Sequence, residues 1–374
     1  MNADPDTRAR NRRIFRLAEK AGTPIDAVYI SNHEPGDRNF YAVTGTNSHF
    51  LYSSAIVRRC GDATLVVSAL EKPEAMSEGY TRFKPYASER EKETKISAAL
   101  MRAKTIGING KLLPYRDVEL LKLSGFTVTD ISDVLDDVRV YKTPQEMASL
   151  NEACRITSRV AELVPEMAKE GMTEIDLVAE MEYQMRGEGA EGFAFETLVA
   201  FGENSAKPHH NSGKRRLREG DLLLVDFGAE VGRMGADITR TYVAGHPKSW
   251  QRDLYAAVLD VQTESLDALR AGVNGKDIHD RAKSRLDEIG KKLGSETDGM
   301  NHGLGHSLGR FTHDGKRLSN IVYILPSGLV TTVEPGCYLQ GKGGVRIEDD
   351  VIVTDDGCEI LTNAPKESLI EISG

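Results

Sequence analysis

The sequence predicts two domains, an α/β domain over residues 1–140 and an α+β domain over 141–374 that is built twice from one unit. Three observations carry this. The first part alternates short apolar strands with helical stretches, a proline-initiated helix follows, and beyond it one cap pattern occurs twice, 101 residues apart. With 374 residues and 40% hydrophobic content, the chain can fill two cores.

In the first domain, strands are expected at "DAVYI" (26–30), "FLYSSAIV" (50–57), "ATLVVSAL" (63–70) and "KTIGIN" (104–109), with helices near 7–21, 89–102 and 114–123. No catalytic constellation lies in it. The boundary falls in "VRVYKTPQEMASLNEA", where Thr143 precedes Pro144 at a first helical position. That helix carries apolar Met147, Leu150, Ile156, Val160 and Leu163. Gly171 then precedes Thr173 and Asp176; after a second helix from about 249, Gly272 precedes Asn274 and Asp277. A cap residue three before an acid resembles a capping box. Duplication is the simplest account, with chance recurrence of one helix cap as the alternative.

The net charge of -9 and a pI near 5.6 argue against nucleic acid or an anionic membrane as the main partner. Cys60, Cys154, Cys337 and Cys358 are far apart and form no C-x-x-C pair, so reduced thiols are expected. The first twenty residues carry charges throughout, and no segment reaches the length of a membrane span. The expectation is a soluble cytoplasmic protein.

Chemistry concentrates late in the chain. "NHGLGHSLGRFTHDG" (301–315) holds His302, His306 and His313. The first two have the i, i+4 spacing of a helical zinc pair, but Gly303, Gly305 and Gly309 interrupt it, each costing a helix interior about 1 kcal/mol relative to alanine. An extended, glycine-permissive segment is expected, unless three histidines merely fell together in a loop. Acidic residues supply the other half. In "GDLLLVDFGAEVGRMGADITRTYV" (220–243), alternation puts Leu222, Leu224 and Asp226 on one strand face and Asp237, Thr239 and Thr241 on one face of the return strand. A turn near Val231 and Gly232 sets Asp226 directly opposite Asp237, where like charges destabilise and call for a cation. A register shift or bulge would instead turn one to solvent. "LVTTVEPGCYL" and "GGVRIEDDVIV" place Glu334 and Glu348 at strand ends; singly, each is an ordinary solvated charge. Together the four carboxylates match two divalent cations, a hydrolytic arrangement that makes hydroxide at neutral pH and stabilises an oxyanion. With one imidazole, such a donor set suits Mn²⁺, Co²⁺ or Fe²⁺ at least as well as Zn²⁺.

The ordered set Asp226, Asp237, His306, Glu334 and Glu348 resembles the five metal ligands of the pita-bread metallopeptidases, and within them the Xaa-Pro dipeptidases (prolidases) and Xaa-Pro aminopeptidases. "FGENSAKPHH", "GDLLLVDFGA", "ADITRTYV", "HGLGHSLGRFTHD", "TTVEPGCYL" and "GVRIEDDVIV" carry the resemblance over about 140–368. It implies an internally duplicated pita-bread domain after a smaller creatinase-like α/β domain, a homodimer, and two divalent metals, Mn or Co first, with Zn or Fe as further options. It implies that His209, His302 and His313 line the substrate site as catalytic groups, with Glu334 passing a proton and Arg346 pairing with a carboxylate or with the substrate, unless Arg346 is a plain surface cation. Phe195 and Tyr338 match positions near the substrate, His210 has only a structural place, and Arg317 is either a substrate-binding partner for a free carboxylate or simply an exposed charge. The substrate implied is a small peptide with proline second: a dipeptide, or in the aminopeptidase alternative a longer peptide. Two departures stand out, Ala236 where relatives carry Ser, and no proline soon after His313. A non-catalytic binding module on the same fold is the alternative from another class.

Overall fold

The computed structural model describes residues 4–33, 36–294 and 299–372, and the chain divides into two compact units, Met1–Arg139 and Val140–Gly374.

The first unit is built on a six-stranded mixed sheet, in the order Phe83–Tyr86, Ala63–Ser68, Ser53–Arg58, Ala27–Asn32, Thr105–Ile108, Thr127–Asp130. Its strand Ala27–Asn32 is buried at every position. Val28 and Ile30 pack with Ile14 and Phe15 on one side, and Ala27 and Tyr29 with Leu100 and Leu121 on the other. That is how period-two alternation reads when helices cover both faces. The strand expected from residue 50 begins only at Ser53, because Tyr52 takes a positive φ of 53°. Two edge strands, Phe83–Tyr86 and Thr127–Asp130, lie outside the expected set: one contains Pro85, which an edge tolerates, and the other is mostly uncovered. Helices Asn39–Thr44, Lys72–Ser77 and Ser132–Arg139 are also additional, being six to eight residues long and too short to display a helical period.

The second unit starts with helix Pro144–Met167, capped by Thr143 and Glu146 in a reciprocal box with proline at its first position. Leu150, Ile156 and Val160 are fully buried; Met147 and Leu163 are half-buried. This helix and Glu174–Gly187 cover one face of the sheet Ile370–Ile372, Ile238–Ala244, Leu222–Phe227, Leu198–Phe201, packing Val160, Leu177 and Met181 on Leu223, Val225 and Phe227. Helices Ser249–Ala268 and Gly275–Lys292 repeat the arrangement, with Val258, Ile278 and Leu286 in one core with Val333, Val351 and Val353.

Backbone hydrogen bonds match between the two halves. The Gly171 amide bonds the Leu217 carbonyl at 2.9 Å, and the Gly272 amide bonds Leu325 at 2.8 Å. The Leu217 amide returns to Met172 and the Leu325 amide to Val273, each at 2.9 Å. Further on, Gly220 bonds Ala244 at 2.7 Å and Gly328 bonds Val353 at 2.8 Å. Counted from Gly220 and Gly328, Asp226 and Glu334 hold the same place, and Asp237 and Glu348 each stand immediately before their return strands. One difference concerns the caps: Thr173 and Asp176 form the full box, whereas Asn274 caps the Lys276 amide and donates its own side-chain amide to Asp277 at 3.1 Å.

The hairpin register differs from the expected one. Asp226 is paired with Thr239, and Phe227 with Ile238. The turn is made by Gly232 and Arg233, at φ 54° and 59°, between paired Val231 and Met234. Two consecutive positive φ values are the geometry that suits a twisted two-residue hairpin turn. Centring the turn one residue later moves Asp237 two positions along the strand from the partner of Asp226.

Glu174, at the first position of its helix, anchors the loop that precedes Leu222–Phe227. Its buried carboxylate accepts from the Phe201 amide at 2.9 Å, Asn204 Nδ2 at 2.9 Å, the Gly213 amide at 2.8 Å and His210 Nε2 at 2.8 Å. His210 therefore has a structural contact. Burial pushes the Glu174 carboxyl up, but the hydrogen bonds from Asn204, His210, Phe201 and Gly213 outweigh it and hold the group below its ordinary value. A depressed carboxyl contributes stability that is present above its unfolded value and lost as pH falls through the lower folded one. Glu174→Gln is therefore expected to unfold more easily in urea by about 1–3 kcal/mol at pH 7. The difference from the parent should shrink below pH 4.5; a constant difference would show that the charge is not its source.

Candidate metal centre

His306 is held by the strand beside it. Its amide donates to Thr332 Oγ1 at 3.1 Å, while its carbonyl accepts from Thr331 Oγ1 at 2.9 Å. The segment is extended, as its glycines require: a Cβ on Gly305 would lie 2.0 Å from the Thr332 carbonyl oxygen. Nδ1 faces the Ser307 carbonyl at 3.4 Å. A proton there leaves Nε2 as the free lone pair, and Nε2 lies 3.6 Å from Asp237 Oδ2 and 3.5 Å from Glu334 Oε1. Asp237, His306 and Glu348, all buried, offer ligand atoms within 4.8 Å of one another.

The other groups close round this core. Thr239 Oγ1 donates to Glu348 Oε2 at 2.6 Å and accepts from Arg346 Nε at 2.9 Å. Arg346 also reaches Asp226 Oδ2 at 2.5 Å and the Tyr338 hydroxyl at 2.9 Å. That hydroxyl lies 2.8 Å from His302 Nε2, while His302 Nδ1 is 2.7 Å from the Gly303 carbonyl. Both ring nitrogens of His302 are thus engaged inside the protein, and Nδ1 is 3.7 Å from Glu334 Oε2. The exposed His313 stands edge-on to His306, with ring centroids 4.3 Å apart. Arg317 is paired across the short ladder with His306 and is exposed. His209, Phe195 and Asp226 line a cleft of about 740 Å³ whose apolar wall includes Ile175, Val178 and Leu198. Tyr338 is only 1% exposed, so its hydroxyl serves the network beneath the surface.

The electrostatics follow from burial. Glu334 is pushed up to about 7 by burial, with Arg346 opposing and Asp226 adding to it. Asp237 and Glu348 are driven well above the carboxylate range by burial and then by neighbouring acids, Glu348 on Asp237 and Glu334 on Glu348. Burial also depresses the imidazoles, His302 to about 4 and His306 to about 3. Acids that resist ionising and histidines that stay neutral together form a place where cationic charge is missing. Arg346 supplies one positive charge, and Asp226 Oδ1 is buried without a hydrogen-bond partner among the described residues. The donor set fits divalent cations: carboxylate oxygens, one neutral imidazole lone pair and an orphaned oxygen.

Three supporting residues stand outside the ligand set read from the sequence. Thr332 braces His306 and Glu334, the latter at 3.3 Å. Thr239 braces Glu348. Asp350, fully buried, accepts the Asp237 amide at 2.8 Å. Alternation was the available signal, since Thr332 and Asp350 stand two residues from Glu334 and Glu348 on the same strand faces.

The sequence pattern described as Metallopeptidase family M24 matches residues 148–355. The chain is 34% identical to the Xaa-Pro dipeptidase of Pyrococcus furiosus over 92% of its length and 95% of that protein. Among solved structures it resembles an Xaa-Pro dipeptidase from Bacillus anthracis (TM-score 0.85, 27% identity, 98% of this chain and 99% of that one). It equally resembles an X-Pro aminopeptidase from Thermotoga maritima (TM-score 0.84, 31% identity, 97% and 99%). Fold and site define a pita-bread metallohydrolase, and the chain belongs to metallopeptidase family M24. Among the described residues, no helix is long and apolar enough to cross a membrane.

A divalent cation that binds only the folded protein stabilises it by about 2.7 kcal/mol at a hundred times its dissociation constant. Mn²⁺ or Co²⁺ added to chelator-treated protein is expected to raise the unfolding midpoint, and Glu348→Gln or His306→Ala to remove most of that rise. An undiminished rise in both variants would place the cation elsewhere.

Proposed function

We propose that this chain is a dinuclear-metal Xaa-Pro dipeptidase. The observation that carries the reading is the group of buried Asp237 and Glu348 and half-buried Glu334 around the His306 Nε2 lone pair, beside a cleft on which Asp226 and His209 open. Curated relatives named Xaa-Pro dipeptidases align over more than nine-tenths of the chain and support it. Asp226, Asp237, His306, Glu334 and Glu348 would hold the two metals. When bound, the pair supplies an activated water nucleophile and charge stabilisation for a developing oxyanion.

The bond before proline is a tertiary amide, so its nitrogen offers no N–H to a protein that grips substrates by strand pairing. Recognition must therefore use other groups. Glu334 takes the proton from the attacking water on a carboxylate oxygen and delivers it to the proline nitrogen as the bond breaks. His313, edge-on to the His306 ring, and His209, which lines the cleft, donate to the carbonyl oxygen as it gains charge. His302, with both nitrogens engaged, acts by orienting the Tyr338 hydroxyl and Glu334. Arg346 holds Asp226, Thr239 and Tyr338 in one geometry. Phe195 and the apolar wall receive the substrate side chain, and Arg317 meets the free carboxylate. The X-Pro aminopeptidase likeness favours longer peptides as the second reading.

The resemblance carries the remaining assignments: Mn²⁺ or Co²⁺ as the metals, with Zn²⁺ or Fe²⁺ as substitutes, a homodimer, and a cytoplasmic location. With metal supplied, Ala-Pro is expected to be cleaved and Ala-Pro-Gly left intact; the reverse preference makes the enzyme an aminopeptidase, and no cleavage of either rejects both. Glu334→Gln is expected to lower kcat about 10²–10⁴-fold. His313→Ala and His209→Ala should each cost about 10²–10³-fold if they donate to the oxyanion, and unchanged turnover at full metal occupancy would remove them from the mechanism.

A further inference from the structure

The segment from Leu308 to Lys316 belongs to no regular strand or helix, yet it carries His313 to within 4.3 Å of the His306 ring, centroid to centroid. Two buried ion pairs tie it to the start of the Pro144–Met167 helix. Arg310 Nε meets Glu146 Oε1 at 2.9 Å, with the side chains 6% and 7% exposed. Lys142 Nζ lies 3.6 Å from Asp314 Oδ2, with the side chains 3% and 1% exposed. His313 sits between the two anchored residues. Asp314 also folds the segment on itself: its Oδ2 accepts the Arg310 amide at 3.2 Å, and its own amide bonds the Ser307 carbonyl at 2.7 Å.

Glu146 is shared. Its Oε2 accepts the Thr143 amide at 2.9 Å in the helix capping box, and its Oε1 takes Arg310. The helix start thereby sets the direction of the carboxylate, and the carboxylate sets Arg310. Replacing a buried ion pair by apolar groups is often neutral or stabilising, so four buried charges are not explained by stability alone. What they impose is geometry, and the side chain inside that geometry is His313.

We propose that Glu146–Arg310 and Lys142–Asp314 are positioning pairs that hold His313 over the site. This rests on the reading of His313 as a substrate-facing group. A misplacement of about 1 Å in a catalytic group can cost on the order of 10²-fold. Glu146→Gln is therefore expected to lower kcat on Ala-Pro at least tenfold, with KM moved less. Because the loss passes through His313, Glu146→Gln in a His313→Ala background should cost little more, whereas with His209→Ala the losses should multiply. In the metal-free protein, hydrogen exchange of residues 307–314 should quicken in Glu146→Gln while the sheet stays protected. Arg310→Lys, which keeps the cation, should retain more activity than Arg310→Gln, a second pair of variants should Glu146→Gln fold poorly. Multiplying losses with His313→Ala, or unchanged exchange over 307–314, overturns the proposal. If the parent cleaves no Xaa-Pro peptide, the functional reading falls, and the exchange measurement still decides whether the pairs hold the loop.

Discussion

Repulsion among buried carboxylates is the constraint on which the second unit depends. Two like charges 4 Å apart repel by about 4 kcal/mol at an effective dielectric of about 20, and burial followed by repulsion from neighbouring acids, Asp226 among them, raises the carboxyls of Asp237, Glu334 and Glu348. A fold keeps such a group only where something outside the carboxylates compensates. Arg346 does so in part, bonded to Asp226 and surrounded by Thr239 and Tyr338. The remaining deficit is what a pair of divalent cations fits.

Duplication explains how one chain assembles such a cluster. Each half offers a helix pair, a glycine-closed loop and a strand that ends in an acid, with a second acid before the return strand. The backbone bonds at Gly171 and Gly272, and at Gly220 and Gly328, recur with their partners. Two copies bring two carboxylates each, and the glycine-rich histidine segment adds the imidazole. The halves also differ where the chemistry is asymmetric: Asp226 accepts Arg346, while Glu334 faces His302 and His306.

Support comes from residues whose side chains are small or already engaged. Thr239 and Thr332 each touch a carboxylate, and Arg240, 1% exposed, pairs with Asp349 at 2.7 Å beneath Glu348. These contacts rigidify the backbone around the acids, so the positions of the carboxylates are set before any ligand arrives.

Much of this was legible in the sequence. The Thr143–Pro144 helix start, the repeated cap after Gly171 and Gly272, and the alternation that groups Asp226 with Leu224 are local signals, each set by a few neighbouring residues. The glycines at 303, 305 and 309 correctly argued against a helix through the histidines. What stayed hidden depends on contacts between distant segments. The hairpin turn at Gly232 and Arg233 lies one residue beyond its expected centre, so Asp226 faces Thr239, a register that positive φ values decide and alternation does not. Short edge strands such as Phe83–Tyr86 carry no period to read. The ties from Glu146 to Arg310 and from Lys142 to Asp314 span more than 160 residues, and nothing local marks their ends. The sequence by itself offered which acids and histidines are candidates for a metal-binding set, because residue type and alternation are local, and only the family resemblance singled out His306 among the three histidines. The tertiary structure alone decided how those groups are spaced, paired and braced, because burial and long-range hydrogen bonding exist only once the chain has closed on itself.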